Sequence, residues 1–237
     1  MYANVNNIKF LITNKHDAIQ KKLLQGKQWN NNIMDIILDY IHTTKAKHFV
    51  NIGSHIGTLV IPISKHIDKC TATEAYPPTY KHLCANIKLN NITNIDVINI
   101  AVGNKQSDIY FMRECDRVIN NSGGMHVLTL DDIENNRRSS HLTDKKIIVK
   151  MDTLDNINLT GVDIMLIDIE GFEYNLLLGC KNTIMKYKPI IIIEIWDNVK
   201  RRNENMNTTR EQIIYMICAM NYKLIDNIGD DHIFEPI

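Results

Sequence analysis

Short apolar runs alternate along the chain with longer stretches in which apolar residues recur at helical spacing. The run from Pro189 to Trp196 is almost continuously apolar, as expected for a central parallel strand buried on both faces. This alternation predicts an α/β fold built around a mainly parallel sheet. The predicted strands are Lys47–Ile52, Cys70–Glu74, Ile95–Ile100, Val162–Ile169, Pro189–Trp196, Lys223–Asp226 and His232–Glu235.

The pattern predicts one domain over residues 1–237, in which residues 1–46 form a helical cover and residues 47–237 form the α/β core. Apolar residues recur at helical spacing near Asp17–Leu24 and over Asn32–His42, which predicts two amphipathic helices in the cover.

The segment from Ser107 to Lys150 has a weaker pattern. Short strands are predicted at Asp108–Met112 and Ile147–Met151, with a polar, loop-like stretch between them. Near the end of the chain, Asn227-Ile228-Gly229-Asp230 is a hairpin turn signal between the last two predicted strands.

Composition and charge narrow the possible functions. The chain has 237 residues, with 27 Lys+Arg against 27 Asp+Glu, so it carries no electrostatic footprint for duplex nucleic acid or an anionic membrane. Its five cysteines form no CxxC pair, and their spacing matches neither a disulfide framework nor a zinc site. No signal-peptide pattern is visible, and the longest apolar run is too short to span a bilayer. We therefore expect a cytoplasmic protein that binds neither nucleic acid nor membrane.

The first chemical motif is a strand that runs into a glycine-containing turn, Val50-Asn51-Ile52-Gly53-Ser54-His55-Ile56-Gly57. Gly53 permits a tight turn and lets a ligand approach the main chain, and Gly57 lets the next helix lie close to the strand. A ligand bound there lies at the carboxyl ends of parallel strands. Three residues separate the two glycines, so this is not the G-x-G-x-x-G nucleotide fingerprint.

Glu74 ends the second predicted strand, about 20 residues after the first motif, where an acidic side chain can accept hydrogen bonds from two ribose hydroxyls. Both NAD and S-adenosylmethionine present such a ribose, so Glu74 does not distinguish them. A solvated carboxylate at a strand end is the alternative interpretation.

The second motif places carboxylates after a buried strand, in Asp168-Ile169-Glu170-Gly171-Phe172-Glu173. Asp168 and Glu170 are two residues apart, so the strand pleat predicts that both point to one side, with Glu173 at the start of the next helix. Three carboxylates at the end of a central strand cost free energy unless a function uses them. Helix capping is the alternative use.

Taken together, these motifs resemble the FkbM family of S-adenosylmethionine-dependent methyltransferases, from about Lys47 to Trp196. The resemblance is carried by NIGSHIG, TEAYPPTYKHLCANIKLNN, AVGN, DTLD and LIDIEGFEYNLLLGC. It implies a Rossmann-like class I methyltransferase fold, with a seven-stranded, mainly parallel sheet in the order 3-2-1-4-5-7-6 and helices on both faces. It also implies S-adenosylmethionine as the cofactor.

The resemblance further implies which residues bind that cofactor: Asn51, Gly53, Ser54, His55, Gly57, Glu74, Ala75, Ala101 and Asp168. Asn51 stands where the family usually has Asp, and His55 where it has Asn. Since Asn carries no charge toward the amino end of the cofactor, a lower affinity is expected. Leu166 stands where the family often has Lys, so any contact by that lysine is lost or moved.

The implied activity is O-methylation, often of sugar hydroxyls or natural-product alcohols. A sulfonium methyl group is already activated, so the protein mainly aligns it with the acceptor, but an alcohol also needs a base. Asp168 or Glu170 is the expected catalytic base. Histidine is the alternative base, at His55, His126 or His141. No metal is expected; a divalent cation held by Asp168, Glu170 and Glu173 is the alternative use of these carboxylates.

Three further residues are expected to contact the acceptor: Glu173, Glu194 and Trp196, the last because a sugar ring can stack on tryptophan. The loops expected to cover the acceptor, Arg113–Lys145 and Asp197–Thr209, are rich in arginine and asparagine, which suits a sugar, a glycan or another small polar molecule. A methyltransferase-like binding scaffold with weak or no catalysis is a second hypothesis. An NAD-dependent oxidoreductase is a third, disfavoured by the glycine spacing and the closing hairpin. The sequence leaves the acceptor and the oligomeric state open.

Overall fold

The computed structural model describes residues 1–112, 146–204 and 206–237. The chain begins with two strands in a hairpin and continues into two helices: β1 (Tyr2–Val5), β2 (Ile8–Leu11), α1 (Ala18–Leu24) and α2 (Asn31–Thr44). Both helices lie where the periodicity predicts them. The hairpin ahead of them is not predicted, so residues 1–46 form a cover that is only partly helical.

Local interactions explain both helices. The side chain of Asp17 accepts a hydrogen bond from the backbone N–H of Gln20 at 2.9 Å and so caps the start of α1. In α2, Ile33, Ile37 and Ile41 recur every four residues and are all buried, which makes one apolar face that packs on the core.

The first half of the main sheet contains three parallel strands with their connecting helices: β3 (His48–Ile52), α3 (Val60–Ile63), β4 (Lys69–Thr73), α4 (Pro77–Leu89) and β5 (Ile95–Ile98). A short 3₁₀ turn, Ser64–His66, extends α3. Proline opens α4, where the missing N–H has no intrahelical partner to lose.

A separate three-stranded sheet is formed by β6 (Ala101–Val102), β7 (Ser107–Met112) and β8 (Lys146–Asp152). The central strand β8 pairs parallel with β6 and antiparallel with β7. The two short strands predicted in this part of the chain are therefore present, and they lie outside the main sheet.

The remaining elements complete the main sheet and its second helical layer: α5 (Leu154–Ile157), β9 (Ile164–Ile167), α6 (Glu173–Gly179), α7 (Lys181–Tyr187), β10 (Ile190–Glu194), α8 (Asn198–Asn203), α9 (Arg210–Cys218), β11 (Tyr222–Ile228) and β12 (Asp231–Pro236). The single helix predicted over Phe172–Tyr187 is divided at Cys180 into α6 and α7.

The main sheet has seven strands in the order β5-β4-β3-β9-β10-β12-β11. Numbered within the sheet, this order is 3-2-1-4-5-7-6, which confirms the expected class I methyltransferase arrangement. The last strand, β12, lies between β10 and β11 and is antiparallel to both.

Two hydrophobic clusters cover the two faces of the sheet. One contains residues of α1, α2, α3 and α4, and the other contains residues of α6, α7 and α9. Strand β3 is buried at every position, as expected for the centre of such a sheet. Among the described residues, no helix combines the length and apolar character needed to cross a bilayer.

Candidate active site

One cavity of about 490 Å³ opens at the carboxyl ends of β3, β4, β9 and β10. This is the edge where open parallel sheets bind ligands, and the volume suits a small-molecule site. The cavity brings together most of the residues expected from the sequence: Asn51, Gly53, Ser54, His55, Glu74, Ala75, Ala101, Asp168, Glu170, Glu194 and Trp196. Gly57 and Glu173 lie outside its lining.

The turn after β3 requires glycine, as its position after the strand predicts. Gly53 has φ +83°, and a Cβ added there would lie 1.8 Å from the carbonyl oxygen of Asp168. The backbone N–H groups of Gly53 and Ser54 both donate to the carbonyl of Thr73, at 3.0 and 2.9 Å. Gly53 therefore permits the tight turn expected of it and lets the ends of β3, β4 and β9 meet closely, in a turn that also lines the cavity.

Gly57 has the packing role expected of it. Its φ is +90°, and a Cβ there would come within 2.7 Å of side-chain atoms of Ile61 and Leu83. The glycine thus allows α3 and α4 to lie against this turn, and its contribution to a ligand site is indirect.

Asn51 presents the cavity with a buried amide. It lies on β3, is 2% exposed, and its side chain forms no hydrogen bond among the described residues. Nearby Ser54 donates its hydroxyl to the carbonyl of Asn51 at 2.9 Å, so this hydroxyl is used by the backbone. Because this amide lines the cavity and has no partner among the described residues, a polar ligand can hydrogen-bond to it.

His55 adds an uncharged ring to the same wall. Its φ is +48°, a left-handed conformation that histidine tolerates better than most side chains. Burial lowers the pKa of His55 to about 4, so the imidazole is neutral at physiological pH.

Glu74 is held in place by the backbone. One carboxylate oxygen accepts the N–H of His55 and the other accepts the N–H of Tyr76, both at 2.9 Å. Burial nevertheless raises the pKa of Glu74 to about 7. Each oxygen keeps a further lone pair, so this oriented carboxylate can accept two additional hydrogen bonds from a diol in the cavity.

Three carboxyl groups meet at the other end of the cavity. Asp168, Glu170 and Glu194 have carboxylate oxygens that all lie within 4.8 Å of one another. The sequence predicts the proximity of Asp168 and Glu170, but by a strand pleat. In the structure β9 ends at Ile167, and Glu170 reaches the group from a turn with φ +53°.

Burial and mutual repulsion change the protonation of this group. Burial, followed by the charge of Glu194, raises the pKa of Glu170 to about 8, against the opposing effect of Lys200. The same two causes raise the pKa of Asp168 well above its usual range. Burial also raises the pKa of Asp231, which lines the same cavity, to about 7. Like charges this close do not all ionise near neutral pH, so the carboxyl groups share protons.

Trp196 orients this group rather than offering a stacking surface. Its indole N–H donates to Glu194 Oε2 at 3.0 Å, and the residue is only 1% exposed. The Lys200 ammonium lies 3.6 Å from the centre of the indole ring. The expected stacking of a sugar on Trp196 therefore has no open ring face in this arrangement.

Glu173 is buried behind the cavity. It is 1% exposed and pairs with the equally buried Arg201, with 3.2 Å between Glu173 Oε2 and Arg201 Nη1. This places it away from the acceptor contact expected of it, and away from the carboxyl groups that would form the alternative cation site. Glu194 takes its place beside Asp168 and Glu170, because the strand neighbouring β9 ends at the same edge of the sheet.

The cavity also has walls that the sequence did not indicate. Ile19, Trp29 and Asn30 line it from the N-terminal cover, and Gln28 ties this segment to the core by donating to the carbonyl of Thr58. No local motif marks these residues, because only the tertiary packing brings them to the site. The alternative bases His126 and His141 and the loop Arg113–Lys145 lie outside the described residues.

The family model of the methyltransferase FkbM domain matches residues 51–224 of the chain, a range that spans both sides of the cavity. The chain belongs to the FkbM methyltransferase family. Its cofactor is accordingly S-adenosylmethionine, and its reaction is methyl transfer. No curated protein shows significant sequence similarity to the chain.

Solved structures with the same fold include members and non-members of this family. An FkbM methyltransferase from Methylobacillus flagellatus KT is 15% identical with a TM-score of 0.53, over 80% of this chain and 43% of that protein. A Staphylococcus aureus protein provisionally named a caffeoyl-CoA O-methyltransferase is 12% identical with a TM-score of 0.50, over 87% and 83% of the two chains. A provisionally named methyltransferase from Escherichia coli is 9% identical with a TM-score of 0.50, over 100% and 98%.

These similarities support the fold. The chain spans less than half the length of the Methylobacillus FkbM protein, so the activity of that longer protein is not transferred to this one.

Proposed function

We propose that the protein transfers the methyl group of S-adenosylmethionine to a hydroxyl of a sugar, a glycan or another small polar molecule. The observation that carries this proposal is the close group of Asp168, Glu170 and Glu194, whose carboxylate oxygens lie within 4.8 Å of one another on the same cavity as the oriented carboxylate of Glu74. An alcohol must lose a proton as it is methylated, and this group supplies the base.

The residues at the β3 and β4 end fit the cofactor. Glu74 has two lone pairs directed into the cavity for the ribose hydroxyls, and Asn51 has a buried amide that needs a polar partner. The neutral ring of His55 and the turn at Gly53 complete this wall. S-adenosylmethionine supplies an activated methyl group when bound there, so the protein's task is to align the acceptor and to accept its proton.

Glu170 is the preferred base. Its raised pKa of about 8 makes its ionised form a stronger proton acceptor than an ordinary glutamate, and a substantial fraction is ionised at slightly alkaline pH. As the acceptor oxygen forms its bond to the methyl carbon, Glu170 takes the hydroxyl proton. Asp168 and Glu194 then keep this added proton within the group.

The charges around this end of the cavity favour a neutral polyhydroxyl acceptor. Asp168, Glu170, Glu194 and Asp231 all line it, with Lys200 as the lysine among the described lining residues. A phosphate or carboxylate placed here would meet several acidic groups, whereas a sugar ring offers hydroxyl donors to carboxylate acceptors.

The test is a methyl-transfer assay with S-adenosylmethionine and a panel of monosaccharides, nucleotide sugars and oligosaccharides. Release of S-adenosylhomocysteine gives the rate, and NMR of the product shows which atom carries the methyl group. We expect a methyl ether, and we expect Glu170→Gln to lower the rate by about 100-fold or more while cofactor affinity stays within about threefold.

Asp168→Asn is the second variant, because it distinguishes which carboxylate accepts the proton. Asp96→Asn is the matched control, since this carboxylate is 69% exposed on β5, away from the cavity. Full activity of both Glu170→Gln and Asp168→Asn would refute the proposed base. Binding of the cofactor with no acceptor methylated across the panel would favour a binding scaffold instead.

A further inference from the structure

A buried ion pair lies directly behind the turn that carries Glu170. Arg201 and Glu173 are each 1% exposed, and Arg201 Nη1 lies 3.2 Å from Glu173 Oε2. The other oxygen of Glu173 accepts a hydrogen bond from the backbone N–H of Gly171 at 2.6 Å. One carboxylate therefore connects the guanidinium to the peptide that follows Glu170.

The same guanidinium also holds the segment after α8. Arg201 Nε donates to the carbonyl of Thr208 at 2.8 Å, and Nη2 donates to the hydroxyl of Thr208 at 2.5 Å. The carbonyl of Arg201 accepts the N–H of Met206 at 2.9 Å. Arg201 thus uses three of its N–H groups to join two separate segments of chain.

Met206 closes the other side of the turn. Gly171 has φ +93°, and a Cβ added there would lie 1.8 Å from the terminal methyl of Met206. The turn from Asp168 to Glu173 is therefore held from two sides. Met206 packs against it, and the Glu173 carboxylate accepts a hydrogen bond from the backbone N–H of Gly171.

Glu170 depends on this support. Its φ of +53° is a conformation that a non-glycine residue keeps only when its surroundings enforce it. In this conformation its carboxyl group reaches Asp168 and Glu194.

We propose that Arg201 is a positioning residue for methyl transfer. It acts through Glu173 and the N–H of Gly171, and it thereby holds the carboxyl group of Glu170 beside those of Asp168 and Glu194. The inference rests on the proposed function, in which Glu170 is the base. Lysine cannot replace Arg201, because a single ammonium lacks the planar fork that serves Glu173 and both acceptor atoms of Thr208 together.

The test compares Arg201→Lys with Arg202→Lys, its matched control, since Arg202 is the exposed neighbour on the same helix. Thr208→Val is a milder second variant, which removes one hydrogen bond of Arg201 and keeps the shape of the side chain. The readout is the carboxyl ¹³C resonance of Glu170 in protein saturated with S-adenosylhomocysteine, assigned by its loss in Glu170→Gln.

We expect Arg201→Lys to move this resonance toward that of a solvent-exposed, ionised glutamate. Thr208→Val should move it less in the same direction, and Arg202→Lys should leave it unchanged. If Arg201→Lys does not fold, Thr208→Val decides the question. A Glu170 resonance that stays at the wild-type position in every folded variant of Arg201 and Thr208 would overturn the inference.

Kinetics give a second readout on any acceptor found in the panel. Arg201→Lys should lower kcat by about 10- to 100-fold with little change in KM, and should have little further effect in a Glu170→Gln background. An equal loss in both backgrounds would show that Arg201 does not act through Glu170. Because the NMR experiment needs no acceptor, its outcome is independent of whether Glu170 proves to be the base.

Discussion

Asn51 lines the cavity at a position where the family usually has an aspartate. Its amide is 2% exposed and forms no hydrogen bond among the described residues, so it is available to a ligand but brings no charge. A lone buried carboxylate at this position would cost free energy in the cofactor-free protein, and the uncharged amide avoids that cost.

Replacing Asn51 with aspartate should therefore strengthen cofactor binding. A carboxylate facing the ammonium of S-adenosylmethionine forms a charge-assisted hydrogen bond, and we expect affinity to rise about tenfold. Calorimetry on Asn51→Asp measures this change. Asn91→Asp, which adds the same charge at an exposed site, is the control. Unchanged or weaker binding by Asn51→Asp would show that this position does not face the ammonium.

The proposed contact of Glu74 with the ribose should make cofactor affinity depend on pH. Its pKa of about 7 means that acidification protonates the carboxyl group and removes an acceptor for the ribose hydroxyls. Affinity for S-adenosylhomocysteine should therefore rise by about three- to tenfold from pH 6 to pH 8. Calorimetry at both pH values tests this, with Glu74→Gln as the comparison. If the variant keeps the full pH dependence, another group is responsible.

At the scale of elements, the close contact between Gly53 and Asp168, the residue that follows β9, determines how the ends of β3 and β9 meet beneath the cavity. A Cβ at Gly53 would collide with the carbonyl of Asp168, whereas Gly229, also at positive φ, has nothing within 4 Å of its added Cβ. Gly53→Ala should therefore lower the free energy of unfolding by about 2 kcal/mol or more beyond the loss in Gly229→Ala.

Urea unfolding of the two alanine variants measures this difference. Both substitutions carry the backbone penalty of positive φ, so the difference isolates the collision with Asp168. Equal losses would mean that the strand ends move apart at little cost, and the close meeting of β3 with β9 would then not be a constraint on the site.

The positions of the main strands could be predicted because each strand carries a local apolar run and is followed by a helical or hairpin signal, whereas their order in the sheet followed from the resemblance to the FkbM family. The hairpin β1–β2 was missed although its turn has a physical signature. Asn6 and Asn7 have φ of +50° and +63°, the conformation that tight hairpin turns require and that asparagine tolerates. The division between α6 and α7 has no such signature. It coincides with Gly179, whose absent Cβ makes room for the carbonyl of Gly103, a contact that only the folded chain creates.

Part of the candidate site could also be predicted from the sequence. Asp168, Glu170 and Glu74 follow strands, and a parallel sheet brings its strand ends together. The sequence could not predict that Glu194, and not Glu173, joins Asp168 and Glu170 in the cavity, because this depends on the partner that each side chain contacts. Arg201 draws Glu173 behind the turn, while Trp196 holds Glu194 in the cavity.

On the scale of the whole molecule, the balance of 27 basic against 27 acidic residues conceals a local excess of acid in the cavity. Burial raises the pKa of Glu74 and Asp231 to about 7 and that of Glu170 to about 8, well above the values of the unfolded chain. Between about pH 6.5 and pH 8 the folded protein therefore binds more protons than the unfolded chain, whose carboxyl groups are already ionised.

It follows that the cofactor-free protein loses stability as pH rises through this window. We expect the free energy of unfolding to be about 1–3 kcal/mol lower at pH 8 than at pH 6.5. Below about pH 6.5 the lowered pKa of His55 works in the opposite direction, because the unfolded histidine gains a proton that the folded one does not. Urea unfolding across this range measures the slope, and Glu170→Gln should reduce it. A stability that is constant or rises from pH 6.5 to pH 8 would contradict the protonation of the cavity.

The family match begins at residue 51, yet Ile19, Trp29 and Asn30 complete the cavity from outside that range. The matched range therefore supplies most of the cavity lining, and the N-terminal cover supplies one further wall. In the proposed function the carboxyl groups of Asp168, Glu170 and Glu194 decide the chemistry, because an alcohol acceptor would lose its proton to them.

The most direct measurement is the single-turnover rate of methyl transfer against pH, on the best acceptor of the panel, for the wild type and Glu170→Gln. With Glu170 as the base, the wild-type rate should rise about tenfold per pH unit below its pKa of about 8 and level off above it. Glu170→Gln should be about 100-fold slower or more at the plateau and should lack this rise, with cofactor affinity preserved. Identical profiles in the two proteins would contradict the account.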